Sequence, residues 1–324
     1  MADHHRIELI PPDLSPYRYG NVGVDYVHAL DSGKPGPTVM VQALTHGNEI
    51  CGAIALDWLL KEGFSPQKGR LILAFANVEA FARFDYDDPD RSRYIDEDYN
   101  RVWSDGALDG PRDSIELRRA RTLRPFVDAA DFLLDLHSMH EPCRPIMVCG
   151  VEEKGGRKSV ALARSIGVPG DLLLDTGHPS GLRMIERGGF GDPASAKAAV
   201  LIECGQHWEK SAADVAVDTL VRFLRVTGMA SPEWADKRVR VPRPREQRVV
   251  RVTQAVVAKT PAFRFTAPFT GLEVVPKKGS VVATDGEHTW RTPYDNCVMV
   301  MPSLKHLKPG TTMVRLGRYQ DNQA

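Results

Sequence analysis

The sequence predicts an α/β fold, a largely parallel sheet flanked by helices, with a smaller β-rich domain after it. Three observations predict it. Over the first two thirds of the chain, short apolar runs alternate with stretches of helical period, the pattern of strands joined by helical crossovers. The runs are apolar nearly throughout rather than alternating, as strands buried in a sheet are. Beyond Gly228 the texture changes to short strand candidates separated by Pro, Gly and Asp turns, and no long helical pattern appears.

Each element has its own signal. Thr38–Leu44 follows Gly36-Pro37 and reads as a buried strand, closed by the turn Thr45-His46-Gly47-Asn48. Glu49–Glu62 reads as a helix on Ile50, Ala53, Ile54 and Trp58-Leu59-Leu60, with Asn48 as N-cap and Gly63 as the stop. Leu71–Ala76 is the next strand. Asp85–Asp113 is polar, rich in Asp and Arg, and without period; it reads as an extended surface loop of the length that is usually functional or disordered. Asp113-x-x-Glu116 has the form of a capping box opening a helix with Leu117, Ala120 and Leu123 on one face, which Pro125 should kink or end. Phe132–Leu136 reads as a strand stopping at His137, Pro145–Cys149 as another, Lys158–Ile166 as a helix and Asp171–Leu174 as a strand. Ala198–Ile202 reads as a strand ending at Glu203, and Ser211-x-x-Asp214 opens a helix stopped by Gly228. Ser231–Gln247, with three prolines and many charges, reads as a linker. Val249–Val257, Ser280–Thr284, Cys297–Met301 and Thr311–Leu316 are the later strands. The domain reading is a catalytic domain over 1–230, a linker over 231–247 and a β-rich domain over 248–324.

Composition excludes several classes. Lys+Arg and Asp+Glu are both 42 in 324 residues, so bulk charge does not direct the chain to nucleic acid or a membrane surface. No uncharged apolar run approaches the roughly 18 residues of a membrane span. The N-terminal MADHHRIELIPPD has no apolar signal core, so the expected location is the cytoplasm. The five cysteines form no CxxC pair, which argues against a disulfide framework or a cysteine-rich zinc site. His4 and His5, close to the terminus, are not counted as ligands; His28, His207, His288 and His306 lack a partner motif and read as structural or surface residues. A homo-oligomer is compatible with this composition.

Three polar residues stand at the carboxyl ends of predicted strands: His46, His137 and Glu203. Ligands of open α/β sheets bind beyond those ends. Singly, each is as well explained by a structural hydrogen bond. In combination they point to chemistry. His46-Gly47-Asn48-Glu49 sets an imidazole and a carboxylate three residues apart at a turn entering a helix, where Gly47 allows a tight bend, and His137 arrives from a neighbouring strand. Two His and one Glu with an open fourth position are the donor set of a catalytic zinc site. Asp135, two residues before His137 on an extended backbone, shares its face and is placed to orient a ring nitrogen. Glu203 supplies a separate carboxylate to move protons.

Thr45-His46-Gly47-Asn48-Glu49, the run Arg93–Arg101, Asp135-Leu136-His137 and Ile202-Glu203-Cys204-Gly205-Gln206 resemble, in that order, the motifs of the succinylglutamate desuccinylase/aspartoacylase family, which belongs to the zinc carboxypeptidase-like amidohydrolases. The resemblance spans roughly residues 38–227. It implies a largely parallel mixed sheet flanked by helices and one zinc ion per chain at His46, Glu49 and His137. It implies Glu203 as the residue that activates water and then protonates the leaving amine, and Arg93 as the group that polarises the scissile carbonyl. Asn100 and Arg101 match residues that hold a substrate carboxylate, and Arg187, beyond the family-like His178-Pro179-Ser180, is the candidate further substrate arginine. The chain departs from the pattern in two places: Ser138-Met139-His140-Glu141 replaces small polar residues, and Asn77-Val78-Glu79-Ala80 replaces N-P-x-A. His140 is open to a place near the metal, with a structural role or support of the site from outside as the favoured readings. Tyr294 sits in a different context from the family's late substrate tyrosine.

The expectation is a zinc hydrolase that cleaves the amide bond of a small N-acyl amino acid. The rivals are a metallocarboxypeptidase acting on peptides and a catalytically silent binding module on the same fold.

Overall fold

The computed structural model describes residues 5–305 and 307–320; the expectations for His4 and His306 lie outside the described residues. Strands β1 (Val27–Asp31), β2 (Thr38–Ala43), β3 (Arg70–Phe75), β4 (Phe132–Met139), β5 (Ile146–Val151), β6 (Asp171–Asp175) and β7 (Ala198–Gln206) interleave with helices α1 (Ile50–Lys61), α2 (Val78–Phe81), α3 (Asp105–Leu108), α4 (Ile115–Ala129), α5 (Gly156–Ile166) and α6 (Lys210–Val226). The short helix α7 (Pro232–Asp236) then lies within the stretch read as linker, and β8 (Arg248–Val257), β9 (Arg264–Phe265), β10 (Glu273–Val275), β11 (Val281–Asp285), β12 (His288–Arg291), β13 (Cys297–Val300) and β14 (Thr312–Tyr319) follow.

Eleven strands form one mixed sheet in the order β1-β3-β2-β4-β7-β5-β6-β8-β14-β13-β10. The β3-β2-β4-β7 block is parallel, as is β5-β6-β8, while β5 runs antiparallel to β7. The C-terminal strands thus continue the sheet, because β8 pairs with β6. A second sheet, β12-β11-β9, packs beside them through Phe263, Val282 and Leu316.

Period-two alternation distributes the central strands between two apolar layers. Val39, Val41, Leu134, Leu136, Val200 and Ile202 face the layer of α1, α5 and α6. Met40, Leu133, Ala199 and Leu201 face the layer of α4. Asp135, His137 and Glu203 continue the second set, so they emerge on the α4 face at the strand ends.

The parallel core follows the sequence expectation, with β4 and β7 running past His137 and Glu203 rather than stopping there. Three local expectations are corrected. Asn48 does not cap α1: Glu49 is the N-cap residue, without a side-chain cap bond, and the Asn48 amide reaches Asp90 at 3.3 Å. Ser114, not Asp113, caps α4, accepting from Leu117 N at 3.0 Å. Pro125 does not end α4, which runs on to Ala129 because Leu123 and Val127 are buried on either side of it; packing overrides the local cost.

Candidate active site

His46 follows the end of β2, where Leu44 takes φ 59°, a conformation uncommon outside glycine that turns the chain sharply upward. Gly47 is required for space and not for a positive φ: a Cβ there would lie 2.3 Å from Ser92 O and 2.4 Å from Phe81 N. That close approach, with Gly47 N bonded to Arg93 O at 3.1 Å, brings the Arg93 loop against His46.

Buried Glu116 holds the long loop. Its carboxylate accepts from the backbone N–H groups of Ile95 (2.7 Å), Asp96 (3.1 Å) and Glu97 (3.3 Å) and from Asn77 Nδ2 (3.0 Å). The residue that looked like half of a capping box is instead the anchor of the segment that carries Arg93, Asp98, Asn100 and Arg101.

The loop and strand ends bring His46, Glu49 and His137 together, all buried. His46 Nδ1 lies 2.7 Å from Glu49 Oε1 and His137 Nδ1 2.9 Å from Glu49 Oε2, so one ligand atom of each residue falls within 4.8 Å of the others. The outer nitrogens are tied elsewhere: His46 Nε2 to Asp98 Oδ1 at 2.9 Å and His137 Nε2 to Asp135 Oδ2 at 2.8 Å. Donation from Nε2–H to these carboxylates leaves both Nδ1 lone pairs facing inward; Arg93 Nη2, a donor, also stands 3.1 Å from His46 Nε2. Glu49 Oε2 is buried, faces His137 Nδ1 at 2.9 Å, and has no hydrogen-bond partner. Inward lone pairs around an orphaned carboxylate oxygen suit a divalent ion of the zinc type.

The support runs deeper. Asp135 Oδ1 accepts from Thr45 Oγ1 at 2.8 Å, and Thr45 Oγ1 accepts from Gln42 Nε2 at 2.8 Å. Asp98, Thr45 and Gln42 had no role in the sequence reading; Asp98 and Thr45 lay inside quoted motifs, and only the folded loop shows what they touch.

Electrostatics follow from the geometry. Burial opposes ionisation of Glu49, but the two imidazoles outweigh it and hold its carboxyl well below the usual range. Burial likewise opposes charge on His137, yet Asp135 and Glu49 push its pKa well up. Burial is also opposed at Asp98, which His46, Arg101 and Arg93 hold low. Glu203 differs. It is the register partner of His137 across β4 and β7, its Oε2 is buried without a partner, and burial pushes its pKa up to about 8.

These residues line a cavity of about 240 Å³. Arg93 reaches it with Nη1 3.5 Å from Glu49 and Nη2 3.5 Å from Asp98. Asn100 lines it too, its Oδ1 accepting from Met184 N at 3.2 Å. Arg101 donates to Asn100 O at 2.7 Å, and burial lowers its pKa to about 10. The sequence reading had missed Arg183 and Arg315. Arg183 is clamped by Asp175 (2.6 and 2.8 Å) and Glu186 (2.6 and 3.1 Å). Arg315, on β14, is largely desolvated and carries no ion pair among the described residues. Burial and then the neighbouring Arg101 and Arg315 push the pKa of His178 down to about 3.

The structure does not bring Arg187 to this cavity. Its guanidinium is held by Asp128 (2.6 and 3.0 Å), Asp105 (3.0 Å) and Trp103 O (3.1 Å), a structural tie between the long loop and α4. Tyr294 is bonded to Thr253 at 2.6 Å, also away from it. His140 lies at the cavity wall between Glu141 (3.1 Å) and Asp90 (3.4 Å), separate from the His46 cluster. His207, read as structural or surface, is buried at the wall with Nδ1 2.8 Å from Ser138 Oγ.

Residues 35–226 match the family model described as the succinylglutamate desuccinylase/aspartoacylase catalytic domain. An N-acyl-aromatic-L-amino acid amidohydrolase (carboxylate-forming) from Rattus norvegicus is 35% identical over 118 residues, a match covering 33% of this chain and 35% of that protein. Among solved structures, succinylglutamate desuccinylase from Vibrio parahaemolyticus superposes with a TM-score of 0.68 at 18% identity, covering 91% of this chain and 86% of the other. The product-bound ectoine utilization protein from Ruegeria pomeroyi gives 0.63 at 17%, covering 90% and 88%. The class these findings define is the family of that matching model: the chain belongs to the succinylglutamate desuccinylase/aspartoacylase family.

Proposed function

We propose that the chain is a zinc-dependent deacylase that hydrolyses the amide bond of a small N-acyl amino acid. The observation that carries the reading is the convergence of His46 Nδ1, His137 Nδ1 and the Glu49 carboxylate beside Glu203, in one cavity with arginines. His46, Glu49 and His137 would hold the ion. When bound, the ion acidifies water and polarises a carbonyl oxygen.

The protein's own groups do the rest. Glu203 Oε2, aimed into the cavity with no competing partner, takes a proton from the attacking water and returns it to the departing nitrogen. Burial raises its pKa, which suits a carboxylate that must both accept and release a proton near neutral pH. Arg93 donates to the oxygen on which negative charge develops. Asn100 and Arg101 hold a substrate carboxylate, with Arg315 adding positive charge from β14. Asp98 and Asp135 fix the imidazoles by accepting from their outer N–H groups.

The cavity size favours a small substrate over a peptide, and Gly271, Met301, Pro302 and Arg315 of the C-terminal strands and loops close part of its wall. No helix among the described residues is long and apolar enough to cross a membrane. The five free cysteines suit the reducing cytoplasm, where we place the enzyme. The test is metal analysis after dialysis together with amine release from a panel of N-acyl amino acids and blocked peptides. The expected result is one tightly held zinc per chain and release from acyl amino acids only. A zinc-loaded protein that cleaves nothing in the panel overturns the reading.

A further inference from the structure

A second group of side chains able to hold a metal ion stands beside the cavity. Glu141 lies between two imidazoles, with Oε1 3.1 Å from His140 Nδ1 and Oε2 3.6 Å from His5 Nε2. The two rings are 5.3 Å apart and inclined at 69°. Glu49 stands in the same relation to His46 and His137, whose rings are 5.3 Å apart and inclined at 75°. The parallel extends outward. More loosely, His140 Nε2 faces Asp90 Oδ2 at 3.4 Å, an oxygen that Lys305 also pairs with, where the outer nitrogens of His46 and His137 lie 2.9 and 2.8 Å from Asp98 and Asp135. One donor atom from each of His5, His140 and Glu141 lies within 4.8 Å of the others.

The segment that brings His5 here is docked on the fold, which differs from the loose terminus the sequence suggests. Glu8 N donates to Trp208 O at 2.9 Å, Glu8 Oε2 accepts from Lys210 N at 3.0 Å, and Leu9 is buried in the α1 and α6 layer. His140 and Glu141 come from the end of β4 and line the cavity. The group therefore joins the start of the chain to the rim of the cavity.

We propose that His5, His140 and Glu141 form a second, exchangeable site for a borderline divalent cation such as zinc or cobalt. Two imidazoles and one carboxylate favour such ions over magnesium or calcium, which prefer all-oxygen sites. The site is weaker than the buried one for two reasons. Its side chains are 27%, 20% and 37% exposed, against 5%, 2% and 2% at the buried cluster. Only one of its imidazoles has an outer carboxylate among the described residues, and such a partner is worth roughly 10–100-fold in affinity. An ion here clips residues 5–9 to the end of β4 and narrows the way into the cavity.

The inference stands apart from the buried site, and the experiment separates them. The chelator-stripped full chain is titrated calorimetrically with zinc and, in parallel, with magnesium. The wild type is expected to show a zinc class that is lost in His5→Asn and in Glu141→Gln, retained in Glu49→Gln, and absent with magnesium. His5→Asn alters a partly exposed position near the terminus, so it keeps the test valid if Glu141→Gln misfolds. Retention of every zinc class in His5→Asn overturns the proposal, as does equal binding of magnesium. A class that disappears only in Glu49→Gln reports on the buried cluster alone.

Discussion

Two sets of charges stand in and behind the cavity wall, and they are built differently. On one side Glu49, Asp98 and Asp135 face two imidazoles and Arg93. On the other stand Arg101, Arg183 and Arg315; Asp175 and Glu186 are both taken by Arg183, and Arg101 lies 3.8 Å from Asp98 of the first set. The first set is shaped to take a cation, and on the second Arg315 is left without an ion-pair partner among the described residues. On the proposed function, the difference would place the scissile carbonyl at the His-Glu-His side and a substrate carboxylate at the arginine side.

The largest expected effect comes from the group between the two sets. Glu203→Gln keeps the shape and the metal and should lower kcat by about 10²–10⁴-fold, the usual worth of a general base. The same variant carries a pH signature. The raised pKa of Glu203 in the ion-free fold means that its contribution to stability is present below the unfolded pKa and is lost as pH rises through about 8. The neutral glutamine is exempt. The melting temperature of ion-free Glu203→Gln should therefore gain on that of the ion-free wild type between pH 5 and 8; a constant difference would show that Glu203 is not held protonated by burial.

Next in size is the cation side. Asp135→Asn leaves the ligands in place but weakens the acceptor that orients His137, and zinc affinity measured by competition with a chelator should fall about 10–100-fold. The smallest effect tests the anion side. Arg315→Met should raise KM about tenfold for substrates bearing a carboxylate, the worth of one charged hydrogen bond, with kcat little changed. Equal KM changes for carboxylated and amidated substrates would dissolve the contrast between the two sets.

The parts of this arrangement that were legible in the sequence share one property: each polar residue follows an apolar run. His46 lies just beyond β2, and His137 and Glu203 lie within the final residues of β4 and β7, each preceded by buried apolar residues that place it on the cavity side. Residues whose role depends on tertiary closure were not legible. Asp98 lies in a loop full of aspartates and acquires its partner only because Glu116 gathers residues 95–97. Arg183 and Arg187 are four residues apart in a segment without period, and their carboxylate partners, Asp175 with Glu186 against Asp128 with Asp105, decide which one faces the cavity. Arg315 belongs to an antiparallel strand that meets the site only through β8 and β6. Strand β1 escaped detection because it is an antiparallel edge strand with only its first residue buried, leaving no hydrophobic signature.

The pairing of β8 with β6 sets a limit on how this protein can be dissected. Along Asp171–Leu174 the backbone of β6 spends its outward hydrogen bonds on Arg248–Arg251, and Leu172, Leu173 and Leu174 are buried beneath that seam. Cutting the chain before β8 would leave a row of unsatisfied amides flanked by leucines, a template for self-association. The arginine carried by β14 would leave with the severed piece, so a shortened chain would forfeit solubility and part of its cavity wall in the same stroke.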